Sequence, residues 1–504
     1  MFLATTRRKL ATGIFFSLAF GLLVGVITLR VGTTGHGAGL FEAYDFRALY
    51  CGGAATLEHR NPYRVEPLRA CEHDRSPTKL FVADVPTWVV LPAPYPGYAL
   101  GLFSGLARFS FPVAKAIWLG ILATALAFLA IALADLSGFP IVIAAIALVP
   151  TVVLYNLWLG STPPLAMLGL ALAAVAVARD RPAWAAPPLA VAMIDPHLAL
   201  PAAIALVVIA PRARLAAVIS VAVLIGFSLY AIGFSGNVEY FREVLPMHAR
   251  AEVFVRLQYS LTHLLAIVGV PVDVALKAGT ISYGILAFMA VCFASREPDT
   301  ALGRTRAIVL PTAVVALGGA FIHAQEISLA LPAAFVLVRC VKTDLQRALL
   351  TVAFMGLLFS PIFTNTRLVA PSYVLASAVL GGVLWPQRRF RAALTTASLA
   401  IALIVGIRYL PQAHFHDLAA ASIPEPAGIS NATSSGVVWA KFLARRPSWT
   451  EEDPFSIAFK IPTWIGLMSL IALGFSTRTR SAEGSTSAFK SGIIRAHSPP
   501  STSA

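Results

Sequence analysis

Charge is what this 504-residue chain has least of: only 12% of its residues are Asp, Glu, Lys or Arg. A soluble domain carries about 25%. With 58% hydrophobic residues and a mean hydropathy of +0.77, too little polar surface remains to cover a water-soluble globule. The sequence also lacks a His-Glu-x-x-His pair, a CxxC pair, an Asp-x-Asp triplet and a GxxxxGK[ST] phosphate loop. Those gaps argue against nucleotide hydrolysis and against a nucleotide-sugar donor held through a metal, and no metal ligand set and no cofactor are expected. It has only four cysteines. Cys292 and Cys340 end apolar runs and read as packing residues. Cys51 and Cys71 share the first polar loop, where they can form a disulfide on an oxidising face or stand as two small unpaired residues.

What is there instead is apolar sequence from end to end. A spanning helix needs about 20 apolar residues. Candidate segments fall at 11–31, 88–108, 113–134, 139–156, 160–178, 185–209, 214–233, 274–294, 306–322, 326–341, 347–363, 368–385, 391–410 and 461–476. The predicted fold is an all-α integral membrane bundle of roughly 12–14 helices over residues 1–476, short segments being broken or re-entrant. The net charge of +15 would suggest nucleic acid in a soluble protein. Here Arg and Lys sit in short loops, as in TTRRK (5–9), PRAR (211–214) and WPQRRFR (385–391). They read as anchors on an anionic cytoplasmic leaflet, so membrane lipids are the expected partners and nucleic acid is not.

The first helix reads as uncleaved, with a cytoplasmic N-terminus in a plasma (inner) membrane. Strict alternation then places outside a first loop at 32–87, a second at 235–272 and a third at 411–460. It leaves a Ser- and Thr-rich tail, 477–504, disordered inside. One conflict with the positive-inside rule remains: Arg179-Asp180-Arg181 falls outside, which suggests half-helices within 139–209.

The first outer loop is the richest in chemistry: FEAYDFRALYCGGAATLEHRNPYRVEPLRACEHDR, residues 41–75. Ala43 to Leu57 can form a helix along the interface, with Asp45 at its start and Arg47 beside it. An Asp there is either a general base towards a hydroxyl or a helix cap. Tyr95 lies in PAPYPGYALGLF (92–103), which opens a helix. NLWLGSTPPLAMLGL (156–170) carries Gly160 and paired prolines. In AMIDPHLALP (192–201), Asp195 and His197 interrupt apolar sequence at Pro196. Ionisable residues at membrane depth are functional candidates by default, with a self-satisfied pair as the alternative. GGAFIHAQEISLALP (318–332) offers His323, Gln325 and Glu326 at a turn. In NVEYFREVLPMHARAEVFVRLQYSLTHLL (237–265), Arg256 and Gln258 can contact phosphate or sugar, since the Arg fork matches phosphate oxygens.

Taken in order, these motifs resemble glycosyltransferase family 87, of the GT-C class. The match runs through DFRALYCGGAATLEHRNPY (45–63), YPGY (95–98), NLWLGSTPP (156–164), YFREVLPMHARAEVFVRLQYSL (240–261) and the turn at His323. The resemblance implies a GT-C-type bundle with a functional first extracytoplasmic loop. It implies inverting, metal-independent transfer of a hexose, most often mannose, from a polyprenyl-phosphate-sugar donor to a lipid or glycan acceptor. Asp45 would be the general base, and His323 would lie near the donor phosphate or acceptor. Three departures stand out: IDPH (194–197) where the family usually has Lys, Ser161 for Gln, and Gly97 for Pro. His197, held by Asp195, is a candidate substitute for the Lys. Two other readings compete: a lipid or glycan transporter or flippase, and an inactive membrane partner in envelope glycan assembly. A transporter would be expected to show paired broken helices in a two-fold repeat, and the sequence shows no such repeat.

Overall fold

The computed structural model describes residues 2–34, 43–74, 88–359, 368–409, 426–445 and 454–477. The tail beyond Thr477 and parts of the first and third outer loops lie outside them. Among the described residues there is no β-strand, only two isolated bridges. Six helices are long and apolar enough to cross a membrane, and five more apolar helices are shorter. The class is therefore the expected one, an all-α membrane protein.

Helix α1 (Phe2–Thr34) packs along α5 (Phe111–Ser137). Small residues make the crossing close: a Cβ on Gly21 would stand 2.6 Å from the Gly120 carbonyl oxygen, and one on Gly25 would stand 3.1 Å from that of Ala116. Gly13 faces Ile131, so the pair is antiparallel. The start of α5 therefore lies at the C-terminal end of α1. Between them come α2 (Tyr44–Leu57), α3 (Val65–Asp74) and α4 (Gly97–Leu106). One expectation is corrected here. The segment 88–108 does not cross, because its first part is extended and α4 has only ten residues. Arg108 to Lys115 consequently lies at the end of the bundle opposite the N-terminus.

After α5 the chain runs through α6 (Ile141–Leu148), π-helical turns over Val149–Asn156 and the short α7 (Leu157–Leu159). It returns along α8 (Pro163–Ala178). The segment read as one span over 185–209 is a hairpin of two helices, α9 (Ala186–Ala192) and α10 (Pro196–Ile209). Its tip reaches the start of α8, where Thr162 hydrogen-bonds Asp195 at 2.9 Å. Its two ends, Pro182–Ala185 and Pro211–Ala213, pack together at the other end.

These two corrections remove the conflict at Arg179-Asp180-Arg181. Arg179 pairs with Asp135 at 2.9 Å, near the end of α5, and Arg304 pairs with Asp180 at 3.2 Å. Arg339 donates to the Asp135 carbonyl at 2.5 Å. All of these residues lie at the end of the bundle that holds the start of α1.

The rest of the bundle is α11 (Arg214–Glu239), α12 (Leu245–Ala251), α13 (Leu261–Ile267), α14 (Val272–Ser295), α15 (Ala301–Val315), α16 (Leu331–Leu337), α17 (Asp344–Leu357), α18 (Val369–Leu384), α19 (Arg389–Tyr409) and α20 (Ser435–Leu443). A last apolar helix, α21, spans Ile461–Thr477. The polar connections around α2, α12, the 316–325 loop and α20 gather at the end away from the N-terminus.

Candidate active site

The start of α2 is seated by the Gly160 turn. Ala43 stands in the left-handed region at φ 55°, and its N–H donates to the Trp158 carbonyl at 2.9 Å. Gly160, also left-handed at φ 66°, leaves no room for a side chain: a Cβ there would lie 2.9 Å from Phe46 Cβ. Trp118 Nε1 holds the Gly160 carbonyl at 2.7 Å. The helix is then sunk into protein, with Phe46 stacked on Trp118 and Phe111. This explains why the NLWLG motif accompanies the Asp45 loop: one is the socket of the other.

The opposite side of α2 is a brace. Arg47 donates to the Glu72 carbonyl at 2.8 Å, Glu72 accepts from the Leu91 N–H at 2.9 Å, and Cys51 is joined to Cys71. Arg47 therefore ties the loop to its own far end and does not face the cluster that Asp45 faces.

That cluster is built on the 316–325 loop. Gln258 and His323 form a bridge, with Tyr259 N–H donating to the Ile322 carbonyl at 2.7 Å and Ala324 N–H to that of Leu257 at 2.8 Å. Gln258 also accepts from the Ile322 N–H through Oε1 at 3.1 Å. Its Nε2 is buried with no hydrogen-bond partner among the described residues. So held, the His323 ring has Nε2 on Glu252 Oε2 at 2.7 Å and Nδ1 against the Gln325 amide at 3.3 Å. Glu252 is tied in turn: Trp439 Nε1 donates to its Oε1 at 2.7 Å, and His248 Nε2 lies 3.7 Å from the same oxygen. The His323 N–H donates to Glu326 Oε2 at 2.8 Å, and His197 Nε2 meets that oxygen at 3.2 Å.

The electrostatics follow from this crowding. Burial pushes the Asp45 carboxyl up to about 7; His323 opposes the rise, and Glu252 and Glu326 add to it. Burial would raise Glu252 as well, but His248 and His323 hold it down at about 2. Burial would lower His323, yet Glu252 and Glu326 lift it above the ordinary histidine value. The result is a carboxyl poised near neutrality beside an imidazole that favours its charged form.

The structure thus brings Asp45, Asp195, His197, His323 and Tyr95 into one electrostatic neighbourhood. Arg256 is half-buried two residues from Gln258 and is not among the main charges acting on them. Sequence reasoning passed over Glu252, His248 and Trp439. His248 and Glu252 are four apart on one helical turn, a spacing that could have flagged them; Trp439 gave no local signal. Among the described residues, no group of three or more His, Cys, Asp or Glu side chains is arranged to hold a metal ion.

No curated protein and no solved structure matches the chain. The family model described as Glycosyltransferase family 87 matches residues 94–318. That stretch begins just before Tyr95, includes Asp195, His197 and Glu252, and stops short of His323. Over residues 94–318 the chain therefore matches glycosyltransferase family 87, the family that the order of its motifs resembles, and its activity class is that of a glycosyltransferase.

Proposed function

We propose that the chain moves a hexose, mannose first among candidates, from a polyprenyl-phosphate donor to a lipid or glycan acceptor, with inversion. The observation that carries this reading is Asp45: a carboxyl that burial raises to about 7, at the start of a helix seated by the Gly160 turn, with His323 as the charge that opposes the rise. Asp45 takes the proton of the acceptor hydroxyl as that oxygen attacks the anomeric carbon. The bond from that carbon to the phosphate oxygen breaks on the opposite face, and polyprenyl phosphate leaves with the electron pair. One displacement with one base inverts the centre. His323, backed by Glu252, offers positive charge to the leaving phosphate, and His197, on Glu326, stands in the stretch where the family usually has Lys. His197 and Asp195 belong to the same electrostatic neighbourhood. The site lies at the end of the bundle away from the N-terminus, while the basic loops gather at the N-terminal end. By the positive-inside rule this supports a cytoplasmic N-terminus and chemistry on the extracytoplasmic face.

The test is transfer of labelled mannose from polyprenyl-phosphate mannose in membranes carrying wild type or Asp45→Ala, with EDTA present. Wild type should transfer label into a lipid or glycan, and the variant should lose at least about a hundredfold in rate. Transfer that survives in Asp45→Ala removes the base assignment. No transfer from mannose, arabinose or other polyprenyl-phosphate donors points to the inactive-partner reading, which the missing family Lys would suit.

A further inference from the structure

Asp195 closes the turn between α9 and α10 and is 4% exposed. Its Oδ1 accepts from Thr162 Oγ1 at 2.9 Å, and Thr162 is itself hydrogen-bonded to the Tyr95 side chain. Its Oδ2 is buried with no partner among the described residues. The nearby polar groups are already engaged. The Tyr98 hydroxyl donates to the Met193 carbonyl at 2.7 Å, and His197 Nε2 is on Glu326. A buried carboxyl oxygen left unpaired is costly unless something bound supplies the missing hydrogen bond. Phosphate is a poor candidate: His197 brings positive charge near Asp195, but Glu326, which acts on it more strongly, and Asp45 add negative charge to that of Asp195 itself. A hydroxyl is neutral, and it donates to a carboxylate or accepts from a carboxylic acid equally well.

We propose that Asp195 is a specificity-determining residue whose Oδ2 receives one hydroxyl of a sugar in the pocket. This rests on the glycosyl-transfer reading above. Thr162, itself held by Tyr95, occupies the other carboxyl oxygen, so Oδ2 alone is left to take a hydroxyl from one ring position. Donor and acceptor sugars share this chemistry, and the experiment separates them.

Transfer is measured with wild type and Asp195→Ala in two arms. One arm uses polyprenyl-phosphate mannose and its 2-, 3-, 4- and 6-deoxy analogues as donors. The other uses octyl mannoside and the same deoxy series as acceptors. Wild type should lose about tenfold or more in kcat/KM for one deoxy sugar in one arm. Asp195→Ala should be about tenfold slower with the parent sugar and suffer no further loss with that deoxy sugar. If Asp195→Ala does not fold, Asp195→Asn, which keeps the Thr162 bond, should shrink the same deoxy penalty at least threefold. Deoxy penalties that are equal in wild type and the folded variant overturn the role of Asp195 and leave the glycosyl-transfer reading standing. Wild type that transfers from none of the donors overturns that reading and this inference together.

Discussion

Replacing Asp45 by Asn should make the protein more stable and inactive at once, and the gain should depend on pH. The Asp45 carboxyl is displaced from its ordinary 3.8 to about 7, first by burial and then by Glu252 and Glu326. Each tenfold change in proton affinity is worth 1.36 kcal/mol, so the charged form is disfavoured in the fold by about 4 kcal/mol once the pH exceeds 7. Asp45 is only partly buried, and water screens part of that, leaving about 2 kcal/mol. The sign is that of a raised acid. Below pH 3.8 the carboxyl is neutral in both folded and unfolded chains and costs nothing. Between 3.8 and 7 the unfolded chain ionises first, and wild type loses stability relative to Asn. Above 7 the loss is complete. Thermal unfolding of the detergent-solubilised protein from pH 4 to 8 measures it: Asp45→Asn should gain on wild type by about 2 kcal/mol between pH 4 and pH 8. A gain that is the same at both ends, or absent at pH 8, refutes the claim that the fold disfavours the charged form of Asp45. Transfer by wild type should rise with pH through about 7, as Asp45 ionises.

Glu252→Gln removes the charge that chiefly lifts His323, so the loss of transfer at high pH should move to lower pH and the rate at pH 7 should fall about tenfold; a pH–rate profile with an unmoved alkaline limb counts against the pair. Trp439→Phe keeps most of the ring but deletes the 2.7 Å donor to Glu252. It should cost about 1–3 kcal/mol in thermal unfolding, together with a drop in transfer, and a variant with wild-type stability and rate would mean the contact is idle. Cys51→Ser with Cys71→Ser opens a 20-residue separation and should lower stability by about 3 kcal/mol; thiol labelling of wild type under non-reducing conditions should find both cysteines blocked.

Composition alone set the solvent. A chain with so few charges folds only where apolar surface faces lipid, and backbone polar groups in lipid must pair within helices. The loop motifs were legible for a related reason: Asp45, Gly160, Asp195 and His323 each sit in a short run whose polar residues are costly in apolar surroundings unless used. Hydropathy could not tell a lipid-facing span from a segment buried in protein, since both are apolar. That is why 88–108 looked like a crossing, although α4 packs against α2 and α11. It is also why 185–209 looked like one helix, although each half of the hairpin is short and Thr162 holds one carboxyl oxygen of Asp195 at the break. Each misreading added one crossing, so the two cancelled in the in–out alternation beyond Arg214 and left their trace between them at Arg179-Asp180-Arg181, where charge contradicted alternation. What only the tertiary structure decided is partnership. Glu252 lies 71 residues from His323 and 187 from Trp439, and no local pattern encodes such pairs. They arise because α12, the 316–325 loop and α20 are packed to one end of the bundle, where burial turns four carboxyls and three imidazoles into a single electrostatic unit.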